Sequence, residues 1–189
     1  MDIEKECRYR INDRQIEQIE NVAKVIDEKS EQIDLTLGYA GFESLYKFGY
    51  VCRVRKKKDK IWMEVKNKRD DESFYETKVW LSDFKSGVDF FKAIGMLPYM
   101  YMRRTREILE YSGLKIFIDD IELLGKFVEI EFQNITNADE IVNDFLKKIE
   151  IATDKQPLYG DILNEQLKND EKFREKYQKK LHEFIETER

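Results

Sequence analysis

Glycine and proline are scarce in this chain, at 8 and 2 of 189 residues. That leaves no linker at which to divide it and no low-complexity tract. No glycine-rich phosphate loop is present. The two cysteines, Cys7 and Cys52, have no metal-ligand spacing and read as small strand residues in a reducing compartment. His182 is the single histidine. It sits in a polar C-terminal stretch, so neither cysteine has an evident partner for nucleophilic catalysis. No apolar run is long enough to span a membrane, and the acidic start does not read as a signal peptide. No solenoid-type repeat is found. A cytoplasmic protein is expected.

Charge, by contrast, is abundant. Charged residues make up 39% of the chain, with 34 Lys and Arg against 39 Asp and Glu, a net charge of -5. The small negative balance argues against a general nucleic-acid or membrane-surface binder. Hydrophobic residues reach 41% and aromatics 13%, enough for one domain with a core.

The charges follow a strand period. In "MDIEKECRYR", Glu4, Glu6 and Arg8 alternate with Ile3, Cys7 and Tyr9. In "KFVEIEF", Glu129 and Glu131 alternate with Val128, Ile130 and Phe132. "YVCRVRKKK" puts Arg53 and Arg55 on one face, and "KIWMEVKNK" puts Glu64, Lys66 and Lys68 opposite Ile61, Met63 and Val65. "SFYETKVWL" carries Glu76 and Lys78 in phase, "YMYMRRTREILEY" carries Arg104 and Arg106, and "LKIFIDDIEL" carries Asp119. "IDLTLGYAG" completes eight predicted strands.

Between them, Asn12 with Gln15 predicts a capped helix whose apolar stripe runs Ile16, Ile19, Val22, Ala23, Ile26. Asp83 opens a short helix ended by Gly95, and Asn137 with Glu140 predicts a capping box. From Asp161 onward the pattern is helical and polar, with Leu163, Leu167, Phe173, Tyr177, Leu181 and Phe184 available for packing. Trp62 and Trp80 lie in strands and read as core. "RKKKDK" reads as the end of a strand entering a turn.

The fold class is therefore α+β with an antiparallel sheet. The charged face has two readings. An open sheet would leave it to water. A closed or nearly closed eight-stranded barrel, with helices packed outside, would instead enclose Arg, Lys, Glu and Asp. Buried charges persist only when paired or bound to something, and a barrel of this size holds a small ligand.

The ordered set of motifs resembles the CYTH superfamily, the triphosphate tunnel metalloenzymes. These include class IV adenylyl cyclases, thiamine triphosphatases and inorganic triphosphatases. The resemblance rests on Glu4-x-Glu6-x-Arg8, Arg53-x-Arg55, Lys66, Arg104-x-Arg106, Asp119, the Leu123–Gly125 turn and Glu129-x-Glu131. "YGDIL" at Tyr159–Leu163 resembles a segment of the class IV cyclase branch. The chain departs at the fifth strand, where Glu76 and Lys78 stand without the family's arginine, and Arg104 replaces a lysine. The likeness covers about residues 1–165 as one tunnel domain, with 166–189 a polar helical extension of it.

The resemblance implies a substrate-binding set of Arg8, Arg53, Arg55, Lys66, Glu76, Arg104 and Arg106. It implies Asp119, Arg8 and Lys66 in catalysis, and Mg²⁺ or Mn²⁺ on Glu4, Glu6, Asp119, Glu129 and Glu131. The chemistry of the residues agrees with this. A triphosphate needs several fixed cations, arginine forks among them, and carboxylate oxygens are hard ligands for such metals. Taken singly, each charge is as well explained by a solvated strand face or an ion pair.

The expected partner is a nucleotide or inorganic triphosphate, with no nucleic acid and no membrane; a homodimer is left open. The expected activity is that of a class IV adenylyl cyclase converting ATP to cyclic AMP and pyrophosphate. The alternative is a tripolyphosphatase or thiamine triphosphatase. A non-enzymatic polyphosphate- or nucleotide-binding module is the second class, disfavoured because anion binding gains little from so many acids.

Overall fold

A computed structural model describes residues 3–68, 74–132, 137–151 and 154–187, with backbone alone at 3, 4 and 74. The strands are β1 (Ile3–Arg10), β2 (Lys24–Gly38), β3 (Tyr50–Lys57), β4 (Lys60–Lys68), β5 (Phe74–Leu81), β6 (Leu97–Tyr111), β7 (Leu114–Ile121) and β8 (Gly125–Phe132). They close into a barrel in the order β1-β5-β4-β3-β2-β6-β7-β8, every neighbouring pair antiparallel. The closed reading of the charged face thus holds. Closure also removes the sheet edges that so alternating a set of strands would otherwise expose.

The helices are α1 (Asp13–Val22), α2 (Ser44–Phe48), α3 (Phe84–Ala93), α4 (Ala138–Lys148), α5 (Tyr159–Asn169) and α6 (Glu171–Thr187). The outer barrel face is the apolar one. One core joins Cys7, Tyr9, Ile116, Val128 and Ile130 to Ile19 of α1 and Phe145 of α4. The other joins Leu35, Leu37, Cys52 and Val54 to Phe84 and Phe91 of α3 and to Tyr177 of α6. At Gly87 of α3 a Cβ would meet Leu81 at 2.5 Å and Val54 at 3.0 Å, so a side chain there would force those side chains to shift. β6 and β7 are joined by Ser112 and Gly113, at φ 49° and 86°, the left-handed pair a tight hairpin requires.

Three sequence expectations are corrected. The first helix forms its capping box at Asn12 but ends at Val22. Ile26 belongs to β2, whose first residue Lys24 pairs with Glu110, so pairing with β6 overrides the helical period. Asn137 adopts φ 62° and its side chain makes no cap bond. Trp80 is 63% exposed rather than core. It stands at the barrel rim with its ring 5.3 Å from that of Trp62.

Candidate active site in the barrel

Residues directly opposed across antiparallel strands share a face, so the register identifies what points inward. Glu6 lies opposite Glu131, and Arg8 opposite Glu129. Arg106 lies opposite Asp119, Asp34 opposite Arg55, Arg53 opposite Glu64, and Lys66 opposite Glu76. One cavity is lined by Arg8, Arg53, Arg55, Lys66, Arg104 and Arg106, together with Glu6, Asp34 and Glu129.

On the β1-β8-β7 side the arginines bridge acids. Arg8 donates to Glu6 at 2.5 Å and to Glu129 at 3.2 Å. Arg106 donates to both oxygens of Asp119 at 2.6 Å and to Glu129 at 3.0 Å. Burial pushes the Glu129 carboxyl up, but the charges of Arg106 and Arg8 outweigh it and hold it well below the usual carboxylate range. Burial likewise opposes the Arg106 charge, and Asp119 and Glu129 more than restore it.

On the β2-β3-β4 side the acids are Asp34 and Glu64, each 1% exposed. Asp34 accepts from Arg55 Nε at 2.5 Å and Nη2 at 2.8 Å, and from Arg104 at 2.5 Å. Glu64 accepts from Arg53 Nε and, at 2.7 Å, from the indole N–H of Trp62. Both carboxyls are pushed up by burial and pulled further down by the arginines: Arg55 and Arg104 for Asp34, Arg53 and Arg55 for Glu64. Glu76 shifts the other way, raised by burial, with the Glu64 charge adding to it.

The structure brings Arg8, Arg53, Arg55, Lys66, Arg104, Arg106, Glu6 and Glu129 into one chamber. Asp119 lies behind them, fully buried and held by Arg104, Arg106 and the Tyr159 hydroxyl. Glu131 pairs with Lys115 at 3.1 Å, and Glu76 with Lys78 at 3.2 Å. The side chain of Glu4 lies outside the described residues. Among the described residues, no three or more Asp, Glu, His or Cys side chains are gathered as a metal site.

Sequence reasoning missed Asp34, Gln32, Glu64 and Tyr159. The signal for the first two was present: Gln32, Asp34 and Thr36 alternate with Ile33, Leu35 and Leu37. Tyr159, the first residue of α5, donates to Asp119 at 3.0 Å. Its ring lies 5.0 Å from the Arg8 guanidinium and 5.2 Å from the Phe127 ring.

A family model described as "CYTH domain" matches residues 2–157. The chain belongs to the CYTH domain family. A Methanocaldococcus jannaschii protein named "Putative adenylate cyclase" is 24% identical over 163 residues, 80% of this chain and 92% of that protein. A conserved hypothetical protein of Pyrococcus furiosus shares the fold with a TM-score of 0.72 at 21% identity, over 84% of this chain and 98% of that one. A Hippeastrum protein has a TM-score of 0.58 at 16% identity, over 80% of this chain and 89% of its own. It is described as a putative adenylyl cyclase with a dominant triphosphatase activity. In this CYTH domain, α5 and α6 lie beyond the matched segment, yet Tyr159 reaches into the barrel. Among the described residues, no helix is long and apolar enough to cross a membrane.

Proposed function

We propose that this CYTH domain is a divalent-metal-dependent enzyme acting on an organic triphosphate, as a class IV adenylyl cyclase converting ATP to cyclic AMP and pyrophosphate. One observation carries the reading. The same cavity that gathers six cationic side chains also has an apolar shelf of Phe42, Leu45, Tyr46, Val51, Tyr99 and Met100. Cations serve a polyphosphate chain, and an apolar aromatic shelf serves a base; an inorganic tripolyphosphate has no use for the second.

The donor set suits a hard cation. Glu6 and Glu131 are opposed across β1 and β8, with Glu129 two residues away, and all offer oxygen. Charge balance argues the same way. The cavity's six cations already face carboxylates, so a tetra-anionic substrate needs positive charge brought with it. Glu4, Glu6, Glu129 and Glu131 would hold Mg²⁺ or Mn²⁺, with Asp119 adjoining. Bound there, the metal would neutralise phosphate charge and favour ionisation of the attacking oxygen.

The chain's own residues do the rest. Arg53, Arg55, Arg104 and Arg106 bind phosphate oxygens, with Glu76 at the edge of the set, and fix the chain in line for attack. Arg8 and Lys66 offset charge on the departing pyrophosphate. As the 3′-oxygen bonds to the α-phosphorus, its proton passes to water, the bond from that phosphorus to the α–β bridging oxygen breaks and pyrophosphate leaves. Asp119, held behind the chamber by Arg104, Arg106 and Tyr159, fixes those arginines beside the reacting group.

The second reading is hydrolysis of the terminal phosphate by the same residues, favoured by the activity named for the Hippeastrum neighbour. Incubating the protein with ATP, thiamine triphosphate and tripolyphosphate, each with Mg²⁺ and Mn²⁺, separates the readings. Cyclic AMP and pyrophosphate from ATP support the first. Orthophosphate alone replaces it with the second, and preference for tripolyphosphate removes the role of the apolar shelf.

A further inference from the structure

A cavity built to attract an anion contains a buried acid that the proposed mechanism does not use. Asp34 lines the chamber and is 1% exposed. It sits on β2, between β3, which carries Arg55, and β6, which carries Arg104. Its Oδ2 receives both guanidinium groups, Arg55 Nη2 at 2.8 Å and Arg104 Nη2 at 2.5 Å. Two guanidinium groups on one oxygen repel each other strongly in a low-dielectric site, and only an anion between them holds them there.

Gln32, two residues earlier and 3% exposed, backs the same pair. With its amide oxygen toward the guanidinium groups, it accepts from Arg55 Nε at 3.0 Å and Nη2 at 3.2 Å. It also accepts from Arg104 Nη2 at 3.0 Å and Nε at 3.1 Å. The opposite orientation would set its NH₂ donors against N–H donors. Asp34 and Gln32 thus form a hub on β2 that fixes one arginine from each neighbouring strand.

Arg104 also engages the strand on its other side, β7. Its Nη1 lies 3.4 Å from Asp119 Oδ2. Arg55 Nη1 stays 3.8 Å from Glu64. The hub therefore engages one side of each fork and sets where the other side points.

Resting on the triphosphate reading above, we propose that Asp34, seconded by Gln32, is a positioning residue. It fixes the spacing of Arg55 and Arg104, and that spacing selects a three-phosphate chain over a shorter one. Two forks held at one fixed separation, both on Asp34 Oδ2, match one arrangement of phosphate oxygens. Two mobile arginines bind any polyanion by charge alone.

The test is the affinity ratio of tripolyphosphate to pyrophosphate, measured by calorimetry without divalent metal on wild type, Asp34→Asn and Gln32→Leu. Thermal unfolding of each variant is followed in parallel. The expected result is a wild-type preference for tripolyphosphate that falls by about tenfold or more in Asp34→Asn, the scale of one misplaced charged hydrogen bond. Gln32→Leu should lower it less. In a double-mutant cycle, Arg104→Lys should lower the ratio, and adding Asp34→Asn should lower it little further, since the partner is already changed.

If Asp34 merely dilutes positive charge, both anions bind Asp34→Asn more tightly and the ratio stays constant, which overturns the proposal. If it only supports folding, both affinities and the melting temperature fall together with the ratio unchanged, which also overturns it. Should the wild type bind neither anion, the triphosphate reading itself fails, and the inference fails with it. Should the wild type show the preference and Asp34→Asn keep it, the inference alone fails.

Discussion

The two walls of the barrel hold their arginines by different means. On β1, β8 and β7, Glu129 is shared by Arg8 of β1 and Arg106 of β6, and Asp119 takes two arginines of one strand, Arg104 and Arg106 of β6. On β2, β3 and β4, Asp34 binds Arg55 of β3 and Arg104 of β6, backed by Gln32, and Glu64 binds Arg53 of β3 and the Trp62 indole. Arg104 joins the walls, one nitrogen on Asp34 and another on Asp119. Under the proposed function, the paired acids of the first wall, Glu6 and Glu129, would also serve a metal. Those of the second, Asp34 and Glu64, would serve to aim cations. A tunnel that both binds phosphate and uses a metal needs carboxylates in both capacities.

The largest effect separating the walls is expected at Glu129. Glu129→Gln keeps size and hydrogen bonding but removes the charge shared by Arg8 and Arg106, and one proposed metal ligand. Turnover should fall by about 10²–10³-fold, the range for losing one group that stabilises transition-state charge. Metal-free binding of triphosphate should hold or tighten, since a negative charge has left the site. Wild-type turnover with unchanged metal dependence would remove the metal role from this wall.

Binding comes next. Arg53→Ala should weaken triphosphate binding by about 1.5–3 kcal/mol, the range for a hydrogen bond to a charged group. Arg106→Ala should lose at least as much affinity and more stability, because it leaves Asp119 and Glu129 buried with fewer partners. Calorimetry and thermal melts on the two variants read both quantities. Equal stability losses would mean that the walls are not distinguished in the way their bonding suggests.

A third contrast is in pH. Asp34, Glu64 and Glu129 have lowered carboxyl pKa values in the folded state. The unfolded chain therefore binds more protons than the native one in this range. Their stabilisation is complete above the unfolded value of about 4 and is lost as pH falls further through the folded values. Glu76, raised by burial, runs oppositely: its contribution is full below the unfolded value and fades as pH rises through the folded one. Denaturant midpoints between about pH 2 and 5 should drop toward acid, with a shallower slope in Asp34→Asn. An unaltered slope would show that Asp34 carries no net charge linkage.

The wall that was legible in the sequence is the one whose charges repeat. Glu6 and Arg8, like Glu129 and Glu131, stand two apart with an apolar residue between them, and a charge at every second position is hard to mistake. Asp34 is a single acid among leucines, and its meaning depends on Arg104, which lies 70 positions away. The barrel itself was legible because nearly every strand paired a charged face with an apolar one. The start of β2 was not, because Val22, Ala23 and Ile26 satisfy a helical period as well as a strand does. Tyr159 was readable as part of a motif but not as a tunnel residue, since it is the placement of α5 that brings its hydroxyl to Asp119.

The smallest effect is expected outside the tunnel. The Tyr177 hydroxyl on α6 accepts from the Tyr101 N–H at 2.6 Å and donates to the Tyr101 carbonyl at 2.8 Å. β7 pairs with β6 only from Arg104 onward. Tyr101 therefore lies on the part of β6 that β7 does not reach, and the hydroxyl serves backbone groups there in place of a strand. Tyr177→Phe preserves the ring and its parallel stacking on Phe173 but leaves that donor and acceptor buried without their partner. The expected cost is about 1–3 kcal/mol, a melting-temperature loss of roughly 2–4 °C per kcal/mol for a chain of this size. Turnover per folded molecule and the tripolyphosphate-to-pyrophosphate ratio should not change, because neither wall contacts Tyr177. A loss of turnover at full folding would instead tie α6 to the chamber through α5 and Tyr159, and the two walls would then have to be described together with the helices that close them.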